Sequence, residues 1–164
     1  MKYFLIIIIL SVGTFAQQSE VSSKLEFTRI ETPVIFQGDY KFAYRDPASV
    51  YHEGRFHLYF TLVESSSDGG MYLRTAYSNS SDLVHWTYPK CITPKDRKLN
   101  FSSPGNIIRF NDKWILCLQT YPTPNFETFG NSTSRIWVME SSNLSDWSRP
   151  RLLKVKGNIP VEDM

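Results

Sequence analysis

The chain has little cysteine, little net charge and only one long apolar run, and each shortage excludes a class of protein. Two cysteines in 164 residues cannot build a disulfide-stapled scaffold. The 18 Lys and Arg nearly balance the 16 Asp and Glu, which argues against electrostatic capture of nucleic acid or of an anionic membrane. The apolar run, within residues 3–12, is too short to cross a bilayer. We therefore predict neither nucleic-acid nor membrane partners.

Residues 1–16 have the features of a secretory signal peptide. Lys2 is their only charged residue, an apolar stretch follows it, and Thr14 and Ala16 place small side chains at the cleavage positions. We therefore predict export, to the periplasm or the extracellular medium. The polar, Ser-rich stretch that follows predicts a linker over residues 17–29, and the remaining length corresponds to one domain.

Neither the cysteines nor the histidines form a recognisable chemical motif. In an exported protein Cys91 and Cys117 are permitted to pair. Their settings, a Pro-flanked loop and an apolar strand-like run, favour two unpaired thiols with one of them buried. The three histidines share no metal-ligand spacing, and His57 is expected at the surface because it alternates out of a predicted strand. The sequence predicts no metal site and no cofactor.

Helical periodicity is almost absent from the chain. Apolar residues alternate or cluster in short runs rich in Tyr, Phe, Ile, Val and Trp, separated by Gly, Asn, Ser, Asp or Pro. The candidate strands are residues 48–51, 56–62, 71–78, 106–110, 114–120 and 134–140, with a lead-in strand near residues 27–30. This pattern predicts an all-β protein.

One internal repeat organises these strands. A step of 58 residues separates Phe56 from Trp114, and a step of 61 separates Trp86 from Trp147. Each copy holds a short strand, a hairpin, a third strand, an Asx-Leu-x-x-Trp corner and a fourth outer segment. In a β-propeller each blade is a sheet of four antiparallel strands, and the blades repeat around a central axis, so this pattern predicts a propeller. We predict that Trp86 and Trp147 lie in the blade cores.

The repeat predicts two blades, over residues 30–95 and 96–157. Propellers need about four to eight blades to close a ring. We therefore expect the chain to be the N-terminal part of a larger protein, with a partial propeller domain over residues 30–164.

Two segments resemble the five-bladed β-propeller glycoside hydrolases, above all glycoside hydrolase family 43 and its relatives in families 32, 62, 117 and 130. Residues 45–61 (RDPASVYHEGRFHLYFT) resemble the first-blade signature, and residues 103–114 (SPGNIIRFNDKW) resemble the second-blade opening. The resemblance covers roughly residues 30–160. It implies a monomeric glycosidase that needs no cofactor and acts on arabinosyl, xylosyl or galactosyl linkages of polysaccharides.

Asp46 is the candidate catalytic residue. It precedes the strand at 48–51, whose start would lie near the propeller axis, and Pro47 favours an extended backbone at Asp46. Glycoside hydrolysis needs two carboxyl groups across one bond. In the resembled family the first-blade Asp is the general base, while later blades supply an orienting Asp and the acid Glu. The alternative for Asp46 is a turn residue that hydrogen-bonds its own backbone.

Four further residues are candidate substrate contacts: Arg45, Ser103, Pro104 and Tyr121. Arg45 can orient a carboxylate or a sugar hydroxyl, or form an ordinary ion pair. Ser103 and Pro104 occupy the inner-strand start of the second blade, equivalent to Asp46 in the first. Tyr121 can stack on a sugar ring or pack in the core.

The resemblance assigns only the base to this chain, so we expect the chain by itself to be inactive or nearly so. Activity would require another carboxylate, such as Glu127 or Glu140, to reach the site. The alternative function is a non-catalytic propeller that binds carbohydrate or serves as a scaffold.

Overall fold

The structure, a computed structural model, describes residues 27–32, 34–122, 134–155 and 159–160. The predicted signal peptide, most of the predicted linker and Glu127 lie outside these residues. A short 3-10 turn, Phe27–Arg29, stands where we expected a lead-in strand, so that expectation was wrong. Within the described ranges, no helix is long and apolar enough to cross a membrane.

The first sheet is a blade of four antiparallel strands in chain order. Its strands are β1 (Phe42–His52), β2 (Arg55–Ser65), β3 (Met71–Ser80) and β4 (Lys90–Cys91). A tight turn at Glu53 and Gly54, both with positive φ, joins β1 to β2 as predicted. The inner strand begins six residues earlier than the predicted start at residue 48.

The second sheet repeats this blade with its inner strand interrupted. Its strands are β5 (Phe101–Ser102), β6 (Ile107–Phe110), β7 (Lys113–Thr120), β8 (Ile136–Ser141) and β9 (Arg151–Leu152). Both β5 and β6 pair with β7, so together they take the place of β1. A small antiparallel pair, β10 (Lys154–Val155) with β11 (Ile159–Pro160), follows. The prediction of two consecutive antiparallel blades is confirmed.

The main core lies between the two blades. Its buried members are Tyr59, Tyr77, Phe101, Leu116, Leu118 and Met139, and Trp147 packs against them. The opposite face of the first blade has a second cluster of Leu58, Phe60, Leu62 and Ala76, against which Trp86 packs. Because side chains alternate along a strand, β2 supplies both clusters. The predicted core roles of Trp86 and Trp147 are confirmed.

The Asx-Leu-x-x-Trp motif recurs because it makes the same set of hydrogen bonds in the corner of each blade. In the first blade Asp82 accepts hydrogen bonds from the backbone of Val84 (2.9 Å) and His85 (2.8 Å), while the Trp86 indole donates to the Leu83 carbonyl (3.1 Å). Leu83 has a φ of +65°. In the second blade Asn143, Leu144 and Trp147 repeat this arrangement, with Leu144 at a φ of +64°. The motif is therefore a structural turn that carries the chain to the outer strand.

His57 is buried, so its predicted surface position was wrong. The ring nitrogen Nδ1 lies 2.9 Å from the Tyr77 hydroxyl, which lies 3.2 Å from the Ser145 hydroxyl of the second blade. The alternation of side chains along β2 predicted one buried and one exposed face, but both faces of β2 are covered by the two core clusters.

We expect stability to fall on acidification because of His57. Its burial, with the charges of His52 and Arg55 adding to the effect, holds its pKa below the ordinary value of 6.5. The unfolded chain therefore takes up a proton before the folded chain does. The stabilisation is complete above the unfolded pKa and is lost as the pH falls toward the folded pKa. Urea unfolding between about pH 7.5 and about pH 5 should show this decline. His57→Phe should flatten it, and an equal decline in the variant would contradict the assignment.

Candidate functional site

Asp46 lies in a β-bulge of the inner strand. Arg45 is opposite Thr61 and Ala48 is opposite Tyr59, so Asp46 and Pro47 together face the one intervening residue of β2. Asp46 has a φ of +54°, so the extended backbone that we expected before Pro47 was wrong. Asp is among the few non-glycine residues that tolerate this region. The bulge places the carboxylate inside an 11-residue strand.

The second blade carries the equivalent irregularity at Ser103. Its inner strand breaks between Ser102 and Ile107, and Ser103 also has a positive φ, +43°. Pro104 follows Ser103 as Pro47 follows Asp46. The repeat therefore extends to the interruption of the inner strand, and Asp46 and Ser103 are equivalent positions.

The packing of the blades brings these two positions together. The Ser103 hydroxyl donates to Oδ2 of Asp46 over 3.3 Å, and Nε of Arg45 lies 3.2 Å from the same oxygen. The Asp46 side chain is 33% exposed and that of Arg45 is 57% exposed. An ion pair this exposed adds little stability. Together with the Ser103 hydroxyl, it places two donors on Oδ2.

A cleft of about 450 Å³ lies between the two inner strands. Its walls are Pro47, Ala48 and Ser49 on one side and residues 104–108 on the other. Pockets for small ligands have volumes of about 300–1,000 Å³. The cleft beside the Asp46 bulge is therefore large enough for a sugar residue.

Of the five predicted site residues, the structure brings four together, and Tyr121 makes no hydrogen bond to them in the described ranges. Arg45, Asp46 and Ser103 are in contact, and Pro104 lines the adjacent cleft. The Tyr121 backbone N–H donates to the carbonyls of Leu99 and Asn100, each over 3.0 Å. Within the described ranges no hydrogen bond joins Tyr121 to the other four.

Thr61 is a functional candidate that the sequence did not reveal. It is fully buried, and its Oγ1 accepts a hydrogen bond from the Ser103 backbone N–H over 2.7 Å. The contact fixes the second-blade irregularity against the first blade. In the sequence, Thr61 is visible only as a polar residue directly after the apolar run 58–60. Because threonine is common in strands, this position did not indicate a functional role.

A second buried polar link joins the blades at Asn100. Its Oδ1 accepts from the Leu73 backbone N–H (3.0 Å), and its Nδ2 donates to the Met71 carbonyl (3.3 Å). Asn100→Ala should lower the free energy of unfolding by about 2–4 kcal/mol because both backbone groups lose a partner. Asn111→Ala is the matched control, since Asn111 has the same φ of +47° in an exposed turn. If urea unfolding gave equal losses of unfolding free energy for Asn100→Ala and Asn111→Ala, the role of the buried hydrogen bonds would be contradicted.

Glu140, one of the two further carboxylates considered, is engaged elsewhere. It lies on the third strand of the second blade, where Nζ of Lys113 is 2.7 Å away and Nη2 of Arg151 is 3.6 Å away. The hydrogen bond from Lys113 holds the pKa of the Glu140 carboxyl below its ordinary value. Glu140 is therefore fixed by basic partners of its own.

The cysteines are unpaired, as predicted, but both are half-buried. Burial raises the pKa of the Cys91 and Cys117 thiols, which makes them poor nucleophiles. In the described part of the chain, no three His, Cys, Asp or Glu side chains are grouped to hold a metal ion.

No family model and no curated protein matches the sequence. Solved structures do match. A glycosyl hydrolase from Bacteroides ovatus has a TM-score of 0.52 and 17% identity, over 71% of this chain and 34% of that one. A family 117 glycoside hydrolase from Zobellia galactanivorans has a TM-score of 0.52 and 18% identity, over 68% of this chain and 38% of that one. The fold is that of propeller glycoside hydrolases.

A further match comes from the GH130 family of mannoside phosphorylases, which contains glycoside hydrolases that target β-1,2 mannosidic linkages in Candida mannan. It has a TM-score of 0.53 and 18% identity, over 71% of this chain and 33% of that one. The chain thus spans about a third of the length of the structures it matches. Identity this low shows a shared fold, which confirms the fold prediction.

Proposed function

We propose that the chain is part of the catalytic domain of an exported glycoside hydrolase resembling family 43, with Asp46 as general base. The observation that carries the proposal is the position of Asp46. Its carboxylate is one-third exposed, is oriented by Arg45 and Ser103, and lies in the inner-strand bulge next to the cleft between the blades. The shared fold and the two resembling segments support the assignment, and the features of residues 1–16 support export.

In the proposed reaction Asp46 takes a proton from water while the water oxygen bonds to the anomeric carbon. The bond to the leaving-group oxygen breaks, and that oxygen takes a proton from a carboxylic acid. Among the described residues, no second carboxyl group contacts Asp46. As the resemblance implies, we expect the acid to come from a later blade of a longer chain, so residues 1–164 alone should show little or no hydrolysis.

The proposed substrates are polysaccharides or oligosaccharides with arabinosyl, xylosyl or galactosyl linkages, cleaved by a monomer. Arg45 would donate to a sugar hydroxyl as well as to Asp46, because its side chain is more than half exposed and the guanidinium carries five N–H donors. Pro104 would form the cleft wall. Tyr121, directly after β7, would stack on a sugar farther from the bond that breaks.

The test is hydrolysis by the complete protein that contains this chain. Aryl arabinosides, xylosides and galactosides would be assayed by aryl release, with calorimetric titration of the matching oligosaccharides in parallel. We expect cleavage of at least one linkage. Binding without cleavage would favour the carbohydrate-binding propeller. If the protein shows no binding and no cleavage, the glycosidase and the carbohydrate-binding module are both contradicted, and the scaffold is favoured.

A further inference from the structure

The two oxygens of the Asp46 carboxylate have different surroundings. Nε of Arg45 and Oγ of Ser103 both meet Oδ2, at 3.2 and 3.3 Å. Among the described residues, no hydrogen bond is made to Oδ1. The terminal torsion of an aspartate has a broad energy minimum, so bonds to one oxygen decide the direction of the other.

The two donors are not held equally well. The Arg45 side chain is long and more than half exposed. Ser103 has a short side chain on a backbone whose N–H is bonded to the buried hydroxyl of Thr61 over 2.7 Å. Thr61 also lies opposite Arg45 in the ladder. The contacts therefore run from a buried residue of the first blade, through Ser103 of the second, and back to the first-blade carboxylate.

We propose that Ser103 is a positioning residue for Asp46 and that Oδ1 is the oxygen that accepts the proton. The Ser103 hydroxyl holds Oδ2, and Thr61 holds Ser103. This assignment replaces the sugar contact that the sequence predicted for Ser103. The role of Oδ1 as proton acceptor rests on the proposed function. The hydrogen bond from Ser103 to the carboxylate does not, and it can be measured without any enzymatic activity.

The test uses two substitutions that suit the backbone of Ser103. Ser103→Gly removes the hydroxyl, and glycine accepts a φ of +43° without strain. Ser103→Asn returns a donor, and asparagine also tolerates this region. Ser142→Ala is the matched control, because Ser142 is an exposed serine of the same blade as Ser103 and lies in the corner after β8, away from the bulge and from the cleft.

The first readout is the side-chain carboxyl ¹³C resonance of Asp46 in the aspartate-labelled complete protein, assigned by its loss in Asp46→Asn. We expect a shifted resonance in Ser103→Gly, recovery toward the wild-type position in Ser103→Asn and no shift in Ser142→Ala. The second readout is steady-state hydrolysis. Ser103→Gly should lower kcat about tenfold, which is the rate effect of losing about one hydrogen bond in the transition state. KM should stay unchanged.

Each outcome decides a separate point. An unmoved Asp46 resonance in folded Ser103→Gly would overturn the positioning role. A raised KM with unchanged kcat would also overturn it and make Ser103 a sugar contact. If the wild-type protein cleaves no glycoside, the proposed function fails, and the resonance alone still decides whether Ser103 holds Asp46.

Discussion

Asp46→Asn is expected to lower glycoside hydrolysis by the complete protein about 10²- to 10⁴-fold, the usual contribution of one positioned proton-transfer group. The amide cannot accept the proton of the attacking water, while its shape is nearly that of the carboxylate. Asparagine tolerates the φ of +54° at this position, so the backbone of the bulge should remain intact. The measurement is kcat/KM on the best aryl glycoside from the substrate panel.

Asp112→Asn is the matched control for this loss. Asp112 has a similar φ of +59° and lies in the exposed turn between β6 and β7, away from the bulge. The same chemical change there should leave kcat/KM unaltered. Equal activity of Asp46→Asn and the wild type would remove Asp46 from the mechanism.

Leu116→Ala is expected to lower the free energy of unfolding by about 2–5 kcal/mol. Leu116 is fully buried in the cluster between the blades, beside Tyr59 and Tyr77 of the first blade. Typical domains are stable by only about 5–15 kcal/mol, so this loss is a large share of the total. The midpoint of urea unfolding should fall with little change in its slope.

Ile108→Ala controls for the removal of an aliphatic side chain of equal size. Ile108 lies on the inner strand of the same blade but is 54% exposed. It should change stability by no more than about 0.5 kcal/mol. A comparable loss at both positions would contradict the inter-blade packing as the main source of stability.

The hairpins and the repeat could be predicted because they depend on local patterns. Alternating apolar residues around short turns place Phe56 and Trp114 at the same strand position, and the ladder registers agree: Phe56 lies opposite Tyr51 and Trp114 opposite Arg109. The equivalence of the two blades then follows from the fixed step between such positions.

The inner-strand bulge could not be predicted in detail. Proline within a run normally argues against a strand, so the sequence places the strand start after Pro47. The structure continues the strand through Pro47 because the bulge frees that position from the ladder. The positive φ of Asp46 has no sequence signature, since aspartate before proline also occurs in extended segments.

The contact between Asp46 and Ser103 is a product of blade packing. The residues are far apart in the chain, and no local pattern contains both. The repeat identifies them as equivalent positions, but only the docking of one blade on the other brings the hydroxyl to the carboxylate. For the same reason the buried role of Thr61 became visible only with the structure.

Azide rescue of Asp46→Gly in the complete protein is the most direct test that Asp46 provides the attack on the anomeric carbon. Glycine accepts the φ of +54°, so the variant should fold. Azide is already an anion and can attack the anomeric carbon without a base to remove a proton. We predict an inactive variant whose aryl release is restored by azide, with a glycosyl azide as the product in mass spectra. Near wild-type hydrolysis without azide, or no glycosyl azide at any azide concentration, would contradict it.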